Sequence, residues 1–318
     1  MKPSQVALFV ALAASLVAPF FAYPVFLMTA LCFALFAGAF NLLLGYAGLM
    51  SFGHAMFFGM AAYFFGHVVK AWGWPAEFGL ITAVLGAALL GLVTGALAIR
   101  RQGIYFAMIT LAFAQMVYFF CIQAPFTHGE DGLQGIVRKP LLGGLIPTKD
   151  DRVLYYVVLA IFLFGYGAIY RFIHSPFGQV LKAIRDNEQR AVSLGYEADR
   201  YKLLAFVLSA ALAGLAGATK AMVLQFATLT DVSAAMSGEV VLMALVGGLG
   251  TIIGPVIGAF IIITMQNYLA ATGEFVLVIQ GVIFVVIVMA FRKGVVGEFS
   301  EWWKARRSGP RARPTAAD

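Results

Sequence analysis

The stretch VFLMTALCFALFAGAFNLLL (25–44) runs for twenty residues without a charged side chain. A helix needs about 20 apolar residues to cross the roughly 30 Å hydrocarbon core of a bilayer, so this stretch predicts a membrane span. Similar blocks fill most of the chain, at about 5–22, 50–69, 78–99, 103–123, 153–172, 202–223, 238–249, 252–271 and 275–291. We therefore predict an all-α polytopic membrane protein with about 8–10 transmembrane helices, because lipid cannot satisfy exposed backbone groups.

The eighth and ninth blocks in chain order, 238–249 and 252–271, are the least regular of these segments. They are short or rich in glycine, and only GGLGTIIGP (247–255) separates them. Two alternatives stay open: two full spans, or a broken or re-entrant pair.

The composition excludes a water-soluble globule. Of the 318 residues, 62% are hydrophobic and 12% are charged, whereas soluble domains carry about 25% charged residues. The formal charge of +7 lies in loops and in the C-terminal tail, so we interpret it as a topology signal and not as nucleic-acid binding. Cys32 and Cys121 both fall in apolar blocks, which argues against a disulfide framework.

The positions of lysine and arginine predict the orientation, because basic residues concentrate in cytoplasmic loops. With residue 1 inside and an uncleaved first helix, 16 basic residues fall inside and 6 fall outside, Lys220 among the latter. Both termini are thus expected in the cytoplasm, with the spans in the cytoplasmic membrane. We expect a transmembrane domain over 1–298, with a periplasmic loop at 124–152, a cytoplasmic segment at 173–201 and a largely disordered cytoplasmic tail at 299–318.

The cytoplasmic segment contains SPFGQVLKAIRDNEQRAVSLGYEADRYK (175–202). Ser175 is a good N-cap and Gly195 is a natural left-handed stop, so the pattern predicts one helix between them. Lys182, Asp186 and Arg190 follow at i, i+4 and i+8, which predicts two charge pairs along that helix. Such a helix is either a solvated connector or a shape that docks into the groove of another protein.

Two glycine-rich segments interrupt the apolar blocks. GYAGLMSFGHAMFFG (45–59) has four glycines in 15 residues, and GGLGTIIGPVIGA (247–259) is similarly rich in glycine. Glycine costs about 1 kcal/mol in a helix interior, and paired interruptions are typical of a transporter's pathway. Close helix packing is the alternative. The candidate pathway and broken-helix residues are Gly45, Gly48, Ser51, Gly53, His54, Gly247, Gly250 and Gly254.

The motifs that the sequence lacks limit the energy sources that could drive transport by this chain. The sequence has no GxxxxGK[ST] phosphate loop, so the chain does not bind ATP by that route. Ion-driven carriers usually place carboxylates at mid-depth. Here His54 is the clearest ionisable residue within a block, and Lys220, Glu239 and Glu274 lie near predicted ends. His54 is read as either a hydrogen-bonded structural residue or a relay. Nothing resembles the nucleophile–base pair or metal-ligand cluster of an intramembrane enzyme.

The chain resembles the LivM-like permease subunit of branched-chain amino-acid ABC importers over nearly its whole length. Besides the first glycine-rich segment, RRQGIYFAMITLAFAQ (100–115), THGEDGLQGI (127–136) and LVGGLGTIIGPVIGA (245–259) match the family pattern. SPFGQVLKAIRDNEQRAVSLGYEADRYKLLAFVLSAALAGLAGA (175–218) is the most specific match. FRKGVVG (291–297) departs from it, because the family more often has a Pro-Arg-Gly arrangement there.

The resemblance implies the ABC importer permease fold, an amino-acid substrate, and four kinds of partner contact: a second, different permease subunit, two cytoplasmic ATPase subunits, a periplasmic substrate-binding protein and the lipid bilayer. ATP and Mg would bind to the ATPase subunits, and no cofactor to this chain. The residues that match the family's ATPase-coupling contact are Arg185, Asp186, Asn187, Glu188, Ala191 and Gly195. Residues 173–201 are called the coupling segment from here on.

The alternatives are uptake of urea, short amides or aromatic acids within the same family, or a stand-alone facilitator or ion-coupled carrier.

Overall fold

The structure is a computed structural model that describes residues 15–144, 146–269, 276–290 and 294–298. The predicted first span (5–22) lies mostly outside these residues, and the predicted tail (299–318) lies wholly outside them. In chain order the helices are α1 (Pro24–Asn41), α2 (Ala55–Lys70), α3 (Ala76–Ala98), α4 (Ile104–Gln123), α5 (Asp151–Ile173), α6 (Pro176–Asp186), α7 (Glu188–Ser193), α8 (Ala198–Leu224), α9 (Ala234–Gly247), α10 (Gly254–Leu269) and α11 (Val276–Ala290).

The all-α prediction is confirmed. Five helices in the described part of the chain are long and apolar enough to cross a membrane: α1 with the π turn that extends it to Tyr46, α3, α4, α5 and α8. Helices α2, α9 and α10 are apolar but shorter. The 14 residues of α9 give a length of about 21 Å, which is less than the hydrocarbon core. The eighth block is therefore a short helix.

Helices α1 and α8 form the centre of the bundle. Helix α1 packs against α5, α8, α9 and α10, and α8 packs against α1, α2 and α3. In the most apolar stretch of α1, 89% of the residues are buried, against 28% in α3. Helix α3 therefore turns its large side chains outward and its small ones inward. The inward stripe comprises Gly79, Ala83, Ala87, Gly91 and Gly95, and small residues of this kind let membrane helices approach closely.

Helices α2 and α8 cross at a glycine contact. A Cβ added to Gly217 would overlap the carbonyl group of Phe58, and one added to Gly214 would meet Ala61 and Ala87. Glycine at 217 is thus required by close backbone approach.

Beyond α8 the chain turns back into the bundle through a short strand and a 3-10 turn, Leu229–Val232. Residues β2 (Phe226–Ala227) pair antiparallel with β1 (Leu133–Gln134) of the long loop between α4 and α5. The chain then passes Gly59 of α2, whose added Cβ would meet Val232, before α9 begins. Helix α9 begins after this segment, at Ala234.

Lys220 forms a buried ion pair with Asp231 of this descending segment. The two side chains are 8% and 2% exposed, and the ammonium group lies 5.9 Å from the ring centroid of Phe58. Lys220 was counted as an outer charge near the end of its predicted span; the structure shows it buried, and Asp231, eight residues beyond that span, compensates its charge within the bundle.

Candidate functional site

The first glycine-rich segment ends helix α1 and starts α2. A π turn, Leu42–Tyr46, closes α1, and non-helical backbone follows until α2 begins at Ala55. Gly48 has a φ of +72°, and a Cβ there would lie 2.8 Å from Cγ of Arg185. The backbone is thus non-helical between α1 and α2, and this turn lies against the coupling segment.

The second glycine-rich segment is a tight connection between α9 and α10. Gly248 and Gly250 have positive φ angles of 113° and 72°. The Thr251 hydroxyl donates to the Gly248 carbonyl at 2.7 Å and accepts from the Gly254 amide at 3.1 Å. A Cβ on Gly247 would overlap the backbone of Gly254, so these small residues bring the two helices together.

Asn41 joins the two glycine turns. Its Nδ2 atom donates to the Thr251 carbonyl at 2.9 Å, and its Oδ1 atom accepts from the Gly250 amide at 3.0 Å. The side chain is buried, and a Cβ on Gly45 would lie 2.7 Å from the Gly250 nitrogen. The sequence predicted two similar turns, and the structure places them in direct contact.

Arg185 connects the coupling segment to the same place. Its Nη1 atom donates to the Gly45 carbonyl at 2.5 Å, while Nη2 and Nε donate to Asp186 Oδ1 at 2.9 and 3.1 Å. We call Asn41, Gly45, Arg185, Gly250 and Thr251 the turn junction. Three parts of the chain meet there, because Arg185 lies 140 residues beyond Gly45 and Thr251 lies 210 residues beyond Asn41.

The coupling segment is two helices and not one. The Ser175 hydroxyl accepts from the Gly178 amide, and Gly195 has a φ of +90°, so both predicted ends are confirmed. Asn187, however, is extended (φ −159°, ψ 98°) and caps α7 through the Arg190 amide at 3.0 Å. The prediction of one continuous helix was wrong, because an asparagine side chain competes with the helix for backbone amides.

The charge pairing of this segment also differs from the helical pattern. Asp186 pairs with Arg185, its chain neighbour, and Glu188 pairs with Lys202 of α8 at 2.6 Å. Lys202 is 4% exposed and Glu188 25% exposed. Both Arg185 and Glu188 therefore have partners within the chain, while Arg185 also remains 39% exposed. The break at Asn187 separates Asp186 from Arg190. Lys182 lies in the same helix as Asp186, but its ammonium group lies 5.6 Å from the ring centroid of Tyr46.

The coupling segment has its own small core and an exposed apolar edge. Ala191 is buried with Ile184 and Ala198. Val192, Leu194 and Tyr196 are 54%, 72% and 39% exposed, and Asp186, Asn187 and Gly195 are exposed as well. The buried core joins the two helices of the segment to the start of α8, and the exposed edge presents apolar surface.

His54 and Ser51 lie in the core of the bundle with no exposed surface. His54 is surrounded by the rings of Phe36, Phe40 and Phe57. The Ser209 hydroxyl donates to the Ala39 carbonyl at 2.5 Å, so its oxygen must accept from His54 Nε2 at 2.9 Å. Nε2 thus carries the proton and Nδ1 has no partner among the described residues. This geometry favours the structural reading of His54.

Gly53 is also a packing residue. A Cβ there would overlap the carbonyl of Thr110 in α4, whose hydroxyl accepts from the Phe52 amide at 3.2 Å. Close contact between the α2 start and α4 therefore requires a glycine at 53.

The sequence reasoning missed three residues of this region. Asn41 was a detectable signal, because it is a lone amide within a twenty-residue apolar block. Tyr166, whose hydroxyl donates to the Ile252 carbonyl at 2.7 Å, and Asp231, the partner of Lys220, had no such signal. Within the described ranges, no group of His, Cys, Asp and Glu could hold a metal ion.

Comparison with known proteins gives a consistent assignment. A profile of the family described as Branched-chain amino acid transport system / permease component matches residues 23–288. The chain is 27% identical to the high-affinity branched-chain amino acid transport system permease protein LivM of Escherichia coli strain K12, over 80% of this chain and 65% of that protein. It is 31% identical to the ribose import permease protein RbsC of Bacillus subtilis strain 168, over 51% of this chain and 50% of that protein.

The xylose transport system permease protein XylH of E. coli strain K12 is 27% identical over 46% of this chain and 38% of its own length. The chain thus spans about 65% of the length of the LivM relatives that it matches. No solved structure matches it.

Proposed function

Because the chain belongs to the family of branched-chain amino acid transport system permease components, we propose that it is the permease subunit of an ATP-binding cassette importer. In this proposal it forms the translocation pathway for branched-chain or other hydrophobic amino acids. The chain itself is a transport subunit, and ATP with Mg is bound and hydrolysed on separate ATPase subunits.

The turn junction is the observation that carries this proposal. A movement of the coupling segment acts on the Gly45 carbonyl through Arg185, and Asn41, one helical turn away, is bonded to Gly250 and Thr251. Force applied outside the membrane therefore reaches the ends of α1, α9 and α10 through charge-assisted and amide hydrogen bonds. A permease driven by a separate ATPase needs such a connection.

The coupling segment supplies the ATPase contact in this proposal. Its exposed edge of Val192, Leu194 and Tyr196 offers apolar anchors, and Asp186 and Asn187 add exposed polar groups at the rim. The other residues of the predicted contact act within the chain. The internal contacts of Arg185, Glu188 and Ala191 hold the segment in place. Gly195, with its positive φ, ends α7 and directs the chain toward α8.

The orientation and domain boundaries belong to the same proposal. Residues 1–298 form the transmembrane domain, with the coupling segment and both termini, including the tail 299–318, in the cytoplasm. The loop 124–152 then faces the periplasm and the substrate-binding protein. A second, different permease subunit completes the pathway in the inner membrane.

A second candidate function is favoured by one specific observation. The buried Lys220–Asp231 ion pair is the kind of intramembrane charge that ion-coupled carriers use, so a stand-alone facilitator or carrier is the alternative class. Within the family, urea, short amides, aromatic acids or, by similarity to the ribose and xylose permeases, a sugar are alternative substrates.

Copurification and energised uptake separate these functions. We expect the tagged chain to recover ATPase subunits and a second permease subunit, and uptake by the reconstituted complex to require ATP hydrolysis. Collapsing the proton gradient at constant ATP should leave uptake intact. Uptake by this chain alone, driven by an ion gradient, would support the carrier instead.

Uptake of a panel of amino acids, amides and sugars, each with its loaded binding protein, identifies the substrate class.

A further inference from the structure

A pocket of about 340 Å³ lies where helix α8 ends. Helix α8 begins beside the coupling segment, and its 27 residues place the pocket about 40 Å away from that segment. Two of the six residues that line the pocket carry a positive charge, and none of the six carries a negative one. The lining residues come from the loop between α4 and α5 and from the residue after α8: Gly135, Ile136, Val137, Arg138, Lys149 and Gln225.

The backbone around this pocket is held in an uncommon conformation. Gln225 has a left-handed φ of +64°, which few residues other than glycine adopt. Its carbonyl accepts from the Ile136 amide at 2.9 Å, and this bond continues the pairing of β1 with β2. The loop is therefore fastened to the end of α8. Strained backbone of this kind is concentrated at ligand-binding and active sites.

Arg138 brings to the pocket a hydrogen-bond donor that the chain does not use. Its Nη1 atom donates to Asp151 Oδ1 and its Nη2 atom to the Val223 carbonyl, both at 2.6 Å. The Nε atom is buried and has no hydrogen-bond partner among the described residues. Because a buried donor without a partner is costly, the pocket beside Arg138 needs an acceptor.

Lys149 leaves the pocket with a net positive charge. Asp151 offsets the charge of Arg138, whereas Lys149 forms no salt bridge within the part of the chain that the structure describes. Asp150 and Arg152, which follow in the chain, carry opposite charges. One uncompensated positive charge beside an unused donor is the complement of a singly charged oxyanion.

The pocket lies at the level where the helices end. Helices α2 and α8 end beside this loop and α5 begins there. Lys139 donates to the Gly73 carbonyl, and on either side of Gly73 lie Trp72 and Trp74, which are 57% and 49% exposed. Exposed tryptophans are typical of the boundary where lipid headgroups meet water. Val137, in the pocket lining, is 59% exposed and gives the pocket an apolar rim.

We propose that this pocket binds a singly charged phosphate group, carried by the headgroup of an anionic phospholipid. Arg138 Nε and Lys149 Nζ donate to phosphate oxygens, and Val137 contacts the apolar part of the lipid. Free phosphate offers the same oxygens, but it has no apolar part to cover the rim. The site joins the loop between α4 and α5 to the surrounding bilayer, and it depends on neither the transported substrate nor the orientation of the chain.

The test counts lipids bound to the purified full-length complex by native mass spectrometry. The complex, delipidated in a neutral detergent, is titrated with phosphatidylglycerol, with phosphatidylcholine of the same acyl chains, and with inorganic phosphate. We expect one phosphatidylglycerol per copy of this chain that Lys149→Gln binds about five-fold more weakly. Arg138→Lys keeps a charge opposite Asp151 but lacks the Nε–H donor, and it should weaken binding by a similar factor. Lys139→Gln removes one positive charge from the same loop outside the pocket lining and is the matched control.

Several results would overturn the lipid assignment. Equal weakening by Lys139→Gln and Lys149→Gln would mean that only the general charge of the loop attracts lipid, and equal binding of phosphatidylcholine would remove the selectivity for an anionic headgroup. Binding of inorganic phosphate without bound lipid would assign the pocket to a free anion, and no bound anion of either kind would leave it to water. If Lys149→Gln instead weakened capture of the loaded substrate-binding protein with lipid binding unchanged, the occupant would be a protein carboxylate.

Discussion

Replacing Asn41 by leucine removes both hydrogen bonds that join the glycine turns while keeping a similar side-chain volume. An interhelical hydrogen bond in a membrane protein contributes about 0.6 kcal/mol on average and up to about 1.7 kcal/mol. The two bonds of Asn41 are thus worth about 1–3 kcal/mol, which corresponds to a change of about 5- to 150-fold in a conformational equilibrium. The chain should still insert, because leucine is favourable in a membrane helix.

The measurement is the amount of substrate taken up per ATP hydrolysed, in proteoliposomes containing the whole complex and loaded binding protein. We expect Asn41→Leu to lower this ratio by about five-fold or more, since α10 no longer follows α1. Thr94→Val is the control: Thr94 is equally buried, but its hydroxyl donates to Leu90 of its own helix at 2.8 Å. Its ratio should equal that of the wild type.

One result would refute the role given to the turn junction. If Asn41→Leu assembles with the ATPase subunits and moves as much substrate per ATP as the wild type, the two turns are not coupled through this side chain. Equal losses in Asn41→Leu and Thr94→Val would mean that any buried polar deletion has the same effect, which also contradicts the coupling argument.

The other predictions concern the coupling segment and the orientation. Gly195→Val should destabilise the local backbone conformation by about 1–2 kcal/mol or more, because residue 195 has a left-handed φ of +90°, although no atom crowds its Cβ position. The variant should therefore lower recovery of the ATPase subunits on the purified permease. Normal recovery would make the segment a simple connector. Glu188→Lys should abolish stimulation of the ATPase by loaded binding protein, because it leaves Lys202 buried beside a like charge, and the double variant with Lys202→Glu should restore it; no rescue would contradict the pairing. Cysteines at Val137 and Gln189, both exposed, should label from opposite sides of the membrane, and labelling from one side would refute the predicted orientation.

The features that sequence predicted best are those set by local chemistry. Ser175 and Gly195 bound the coupling segment because capping and left-handed backbone depend on a few neighbouring residues. Apolar length likewise identified a helix for each block from 25–44 onward, since a helix satisfies its own backbone groups in lipid.

The features that sequence missed depend on partners distant in the chain. Lys220 reads as an end-of-span charge until Asp231 folds back beside it. Asn187 breaks a segment whose charges fit a continuous helix, because its side chain caps α7. The contact of Gly45 with Gly250 needed the three-dimensional arrangement, since similar spacing in two turns does not bring them together.

The long sequence separation at Asn41 has a consequence for biosynthesis. Its partner Thr251 is 210 residues further along the chain, and ribosomes add about 5–20 residues per second, so the amide waits roughly 10–40 s for that bond. Helix α1 therefore enters the bilayer with an unpartnered amide near its end, which other polar groups or water must accommodate in the meantime. Chains that stall before α10 would expose this amide to lipid, where quality-control proteases could distinguish them from finished molecules.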